Sequence, residues 1–272
     1  MTYVWTAIIT AVVAGVAIAA LLFVRRTAPD GGYFHDGDRA AGVFGVLATG
    51  FAIVLGFVVF LAFESFDQSR SGAETEAVLV TQQFKTAQFM PAAVRSDLQD
   101  DVVCYGRSVI GVEWPQMENG TAGDRFNPWG VELFRVLERA DPKTATEQSA
   151  FDKWIDQTND REIARNDRIH GAEGVIPTAV WIALVLIALV IFGFMMFFAD
   201  SGERRRVQAV QIGSVAVMIV VTLAIIRVLD TPFGSGGLKP VAMQRALQLL
   251  EQSRAVVGAS GALPCDADGR AT

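Results

Sequence analysis

Residues 41–63, AGVFGVLATGFAIVLGFVVFLAF, carry no charge over 23 positions and pass straight into ESFDQSRSGAETE at 64–76. Crossing about 30 Å of hydrocarbon takes about 20 apolar helical residues, because lipid offers no partner to a bare backbone amide. The first segment meets that requirement. The second keeps the helical register going: Glu64, Asp67, Glu74 and Glu76 continue it, with Phe66, Ala73, Ala77, Val80 and Phe84 on another face. The pattern is that of a helix that leaves the bilayer and continues into water.

Three further stretches have the same apolar length. They run from about Val4 to Val24, from Val175 to Ala199, and from Val207 to Ile226 or Leu229. The first lacks a basic segment before its apolar core and has Arg25 and Arg26 behind it, the wrong flank for a cleaved leader, so it reads as a retained anchor. Only 19% of the chain is charged, and the charge is concentrated in residues 64–173, as in a chain dissolved in two solvents. The expected fold is an all-α membrane protein. Its parts are transmembrane helices 1 and 2 (1–63), an extramembrane helical bundle inserted between spans two and three (64–173), transmembrane helices 3 and 4 (174–230), and a C-terminal tail with a short helix (231–272).

Lys and Arg near span ends set the orientation. Arg25, Arg26, Arg39, Arg204, Arg205 and Arg206 fall on one side; if that side is the cytoplasm, residues 64–173 and the C-terminus are extracytoplasmic, in a plasma membrane. Lys239, Arg245 and Arg254 in the tail then also lie outside. In this arrangement Cys104 and Cys265 face an oxidising compartment, where a disulfide persists; two unrelated thiols are the plainer alternative. The net charge of −6 resides in the middle segment, with about 20 acidic against about 12 basic side chains. Such a surface repels phosphate backbones and argues against a nucleic-acid partner. With two cysteines, two histidines, no CxxC and no HxxxH, neither metal nor cofactor is expected.

Inside residues 64–173, Pro91 ends one helix and starts the next. That next helix spaces Val94, Leu98, Val102, Tyr105, Val109 and Val112 as a single buried stripe. Residues 115–128 are a loop by composition; a short helix follows around Trp129 to Ala140, then a long one from about Thr144 to Ile169. Arg161, Arg165 and Arg168, spaced four and three, share a face of the long helix. Glu64, Asp67 and Glu74 share a face after the second span. Each is either a solvated face, worth about 0–1 kcal/mol per exposed pair, an ion-pair lattice fixing the two stalks, or in an oligomer a charged vestibule.

Several of these residues also carry a family resemblance. The Gly-rich second span running into Phe63-Glu64-Ser65-Phe66-Asp67-Gln68-Ser69-Arg70, with Glu74-Thr75-Glu76-Ala77 downstream, is one part of it. Tyr105 followed by Glu113-Trp114 is another. So are the three arginines before Pro177 and Trp181, and Asp230-Thr231-Pro232-Phe233-Gly234 after the last span. The ordered set resembles the bacterial bestrophin-like family and covers nearly the whole chain. The resemblance implies four spans, a helical domain between spans two and three, and a homo-oligomer whose second helices surround a pore. It also implies a cytoplasmic inserted domain, against the Lys/Arg pattern.

Gly42, Gly45, Gly50 and Gly56, with Ala48, Thr49 and Ala52, let helix backbones approach closely, either within one protomer or around an axis of self-association. Phe57, Phe60 and Phe63 recur every third residue. They are a lipid-facing or core stripe, or a constriction that gates by dewetting, with Glu64 and Asp67 as carboxylate rings that attract cations. The reading is a homo-oligomeric ion channel whose partners are the lipid bilayer, copies of itself and inorganic ions. The alternative is a non-conducting scaffold or sensor whose outer domain binds a partner. No enzyme is expected: His170 has no catalytic partner near it in sequence, and His35 sits in the turn HDGD, where Asp36 caps the second span or joins Asp38 in holding a cation.

Overall fold

A computed structural model of the chain describes residues 3–121, 127–256 and 261–272. Residues 122–126 of the expected loop lie outside them. Among the described residues the chain is helical: α1 (Tyr3–Val24), α2 (Gly37–Ala87), α3 (Ala92–Ser108), α4 (Trp114–Glu118), α5 (Pro128–Glu138), α6 (Ala145–His170), α7 (Thr178–Met196), α8 (Arg205–Asp230) and α9 (Val241–Val256). Among the described residues the sole extended pairing is a bridge between Cys265 and Ala271. α1, α2, α7 and α8 are long and apolar enough to cross a membrane.

The chain divides into two compact units, Met1–Glu64 with Val175–Asp230, and Ser65–Gly174 with Thr231–Thr272. In the first, Phe51, Leu55 and Val58 of α2 cluster with Leu184, Ala188 and Ile191 of α7 and with Ile219 and Ile226 of α8. Ala17 and Leu21 of α1 pack with Ile212 and Ala216 of α8. Asp36 caps α2 by accepting the Arg39 amide at 3.0 Å. Arg25 donates to the carbonyls of Asp200 and Ser201, each at 2.8 Å, so the connection after α1 is tied to the one after α7. At the other end Asp230, 3% exposed, accepts the amides of Val175 and Ile176 at 2.8 and 2.9 Å and the Trp181 indole at 3.4 Å. The carboxylate that closes α8 thus takes up the orphan donors at the entrance to α7.

The second unit has its own core, from Val80 and Phe84 of α2 through Leu98, Val102 and Tyr105 of α3 to Trp154 of α6 and Met243 and Leu250 of α9. α6 opens with a capping box: Thr144 accepts the Glu147 amide, and Glu147 accepts the Thr144 amide. Where α2 and α6 meet, Gly72 is required by close approach. A Cβ there would lie 2.5 Å from the Arg168 amide nitrogen and 2.7 Å from the Ala164 carbonyl oxygen.

The stripe of α3 departs from its expected spacing at the end. Val94, Leu98, Val102, Tyr105 and Val109 are buried, but Val112 is half-buried and Glu113 takes the interior position. The cause is a π-helical turn over Val109–Glu113. Its extra residue per turn rotates the following side chains and brings a carboxylate inward.

Candidate functional site

Two arrangements stand out, one along α2 and one inside the second unit. At about 100° per residue, Phe51, Leu55 and Val58 mark the packed side of α2. Gly42, Thr49, Ile53, Gly56, Phe60 and Asp67 fall within about 50° of the opposite direction. None of these six is buried. Phe57, Phe60 and Phe63 are 66%, 60% and 53% exposed, and Glu64 and Asp67 are exposed as well. A Cβ added at Gly42, Gly45, Gly50 or Gly56 would meet nothing within 4 Å. The glycines of this span therefore make no close approach to another helix among the described residues.

The second arrangement is a buried charge network built on α6. Arg168, fully buried, donates from Nε to Glu76 Oε2 at 2.5 Å and from Nη2 to Glu76 Oε1 at 3.1 Å. The same Nη2 also reaches Glu113 Oε2 at 2.5 Å. Arg165 stands 3.4 Å from that carboxylate, and Asn127 donates to its Oε1 at 2.8 Å. Tyr105 donates its hydroxyl to Glu76 Oε1 at 2.6 Å. The Arg161 guanidinium lies 4.4 Å over the Tyr105 ring and donates to Gln83 at 2.9 Å. Burial pushes the Glu113 carboxyl up, but Arg168 and then Arg165 overcome that and hold it below the usual carboxylate range. Burial, and then the Glu76 charge, pushes the Tyr105 phenol well above its usual value.

The three arginines thus share a face, as their spacing predicts, but the carboxylates they meet are Glu76 and Glu113. Glu74 instead pairs with Arg70 one turn away on the exposed side of α2, at 3.1 Å. Two residues along a helix is about 200° of rotation, so Glu74 and Glu76 face opposite ways. Among the described residues Glu64 and Asp67 join no ion pair with Arg161 or Arg168. Cys104 and Cys265 are joined by a disulfide across 161 residues of sequence. Among the described residues, no group of three or more His, Cys, Asp or Glu is placed to hold a metal ion.

A family profile for the bestrophin-like domain matches residues 9–239. The chain belongs to the bestrophin-like family. Solved structures agree on the fold. A crystal structure of a bacterial bestrophin homolog from Klebsiella pneumoniae superimposes with a TM-score of 0.66 at 13% identity, covering 92% of this chain and 98% of that one. A point mutant of that homolog gives 0.60 at 14%, covering 93% and 98%. A point mutant of a protein described only as a membrane protein gives 0.65 at 13%, covering 92% and 97%. Comparison with curated protein sequences gives no match.

In this bestrophin-like protein the network ties α2, the π-helical turn and α6 to one another. Arg168 bridges Glu76 and Glu113, and Arg165 stands beside Glu113. Sequence reasoning missed Glu113 because its inward turn depends on the π-helical step. It also missed the packing of residues 231–272, whose signal is the spacing of Met243, Ala246, Leu247 and Leu250, all buried on α9.

Proposed function

We propose that this bestrophin-like protein is a homo-oligomeric ion channel of the plasma membrane whose pore is lined by α2. The observation that carries the reading is the uncovered face of that helix. Glycines and a threonine gain nothing from facing lipid tails, whereas small residues let copies of a helix approach one another. On this reading Phe57, Phe60 and Phe63 form the constriction, closing by dewetting, and Glu64 and Asp67 ring the mouth with carboxylates that favour cations. The protein is not an enzyme. Its buried network holds the Ser65–Gly174 bundle, inserted between spans two and three, in register.

The bundle and the C-terminus lie outside the cytoplasm. Two features support this: the arginines at one end of the spans, and the disulfide, which persists in an oxidising compartment and not in the cytosol. The opposite side is what the resemblance to bestrophins implies.

Oxidative cross-linking in native membranes tests the assembly. Gly50→Cys, Gly56→Cys and Phe60→Cys are each expected to give a ladder of covalently linked protomers. Leu55→Cys, on the packed side, is expected to give none. Monomers from all four variants would overturn the pore-lining role of α2.

A further inference from the structure

A cavity of about 390 Å³ opens within the second unit, bounded by α2, the π-helical turn and the start of α9. Four cations line it: Arg70, Arg168, Lys239 and Arg245. Of its two carboxylates, Glu76 is taken up by Arg168 and Tyr105, and Glu74 by Arg70. Lys239 reaches Glu118 at 2.7 Å, both half in solvent. Arg245 makes no ion pair or hydrogen bond among the described residues, so the lining keeps an uncommitted positive charge.

Two further features point the same way. The 16-residue α9 begins at Val241, and residues 239–243 line the cavity. Among the described residues the amides of Ala242 and Met243 in its first turn have no backbone acceptor, and a helix N-terminus favours negative charge. Independently, the Trp114 ring is 3% exposed and forms part of the wall. Its Nε1–H is buried and has no acceptor among the described residues, and a buried donor left unpaired costs stability. Leu238, Pro240 and Val241 add an apolar rim.

We propose that this cavity binds a phosphoryl group, with Arg245 and the first turn of α9 as principal donors and Arg70 and Lys239 as flanking cations. Donors contributed by separate elements suit a tetrahedral oxyanion better than a planar carboxylate. The apolar rim suits an anion carried on a hydrocarbon body. The headgroup of an anionic phospholipid and a soluble phosphate ester share this chemistry. Arg70 lies six residues past Glu64, about 9 Å along α2 from the end of its apolar run, within headgroup reach of a bilayer. The inference does not depend on whether α2 lines a pore.

The test uses the full chain in phosphatidylcholine nanodiscs, titrated with inorganic phosphate at constant ionic strength. A parallel series of discs contains phosphatidylglycerol. Thermal unfolding is read by tryptophan fluorescence. Protection of several degrees by phosphate, weakened at least tenfold in midpoint by Arg245→Ala and less by Arg245→Lys, supports the site. Protection by phosphatidylglycerol alone, lost in Arg245→Ala, supports it with lipid as the source. Arg245 is exposed and unpaired, so its replacement is expected to leave unliganded stability unchanged. Absence of protection in both series overturns the proposal, as does protection that Arg245→Ala and Lys239→Ala leave intact.

Discussion

Replacing Arg168 with methionine removes the hub of the buried network while keeping an unbranched apolar stem. The side chains of Arg168 and Glu76 are both 0% exposed. The substitution deletes three charge-assisted hydrogen bonds and, among the described residues, leaves Glu76 with the Tyr105 hydroxyl. Breaking a buried pair by removing one partner costs about 3–5 kcal/mol, because the remaining charge stays buried without compensation. In a unit of this size about 1 kcal/mol moves the midpoint by about 2–4 °C, so Arg168→Met should lower it by roughly 6–20 °C. Tryptophan fluorescence reports the transition directly, since Trp114, Trp129 and Trp154 all lie in the core of that unit. The double variant Glu76→Leu/Arg168→Met removes both charges and leaves Glu113 with Arg165 and Asn127. It should therefore be more stable than Arg168→Met alone. A shift below 2 °C in the single variant, or a double variant as destabilised as the sum of its singles, would refute the reasoning.

Three other outcomes follow from particular residues. Burial first, and then Glu132, Asp97 and Asp100, push the Asp101 carboxyl up to about 7. The native state therefore holds a proton there that the unfolded chain has lost, and stability falls as pH rises from about 4 to about 7. Asp101→Asn should thus match wild type below about pH 4 and exceed it at pH 8 by about 1–2 kcal/mol once solvent screening is allowed for, a difference read from paired melts. Reducing the Cys104–Cys265 bond frees a loop spanning 161 residues. Chain entropy gives about 5 kcal/mol for a free chain; because the spans between the cysteines restrain the unfolded state, melts with and without reductant should differ by about 2–4 kcal/mol. Gly72→Val pushes a side chain against the backbone of α6 and should cost about 1–3 kcal/mol, whereas Gly50→Ala, in open space, should leave the melt of the isolated protomer unchanged.

Much of this architecture is legible because it rests on local physics. The span 41–63 is uncharged at the length lipid demands, and Thr144 with Glu147 marks the start of α6. The 4-and-3 spacing of Arg161, Arg165 and Arg168 puts them on one face wherever that helix packs. Their partners could not be read the same way. Glu74 and Glu76 are equivalent by composition and differ only in which side of α2 meets α6, a choice made where Gly72 lets the helices approach. Glu113 turns inward through a π-helical step whose residues carry no distinguishing composition. The open face of α2 is legible as a pattern of small and aromatic residues, but one sequence displays neither lipid nor a second copy and so does not say which covers it.

The central claim is conduction through a pore lined by α2, and the direct measurement is salt-gradient flux in liposomes holding the purified protein, with Phe60→Ala beside wild type. The account predicts flux with a reversal potential that favours cations, and a changed flux in the variant. Absence of flux from both proteins, with stable oligomers in the bilayer, would contradict it and favour a non-conducting membrane scaffold.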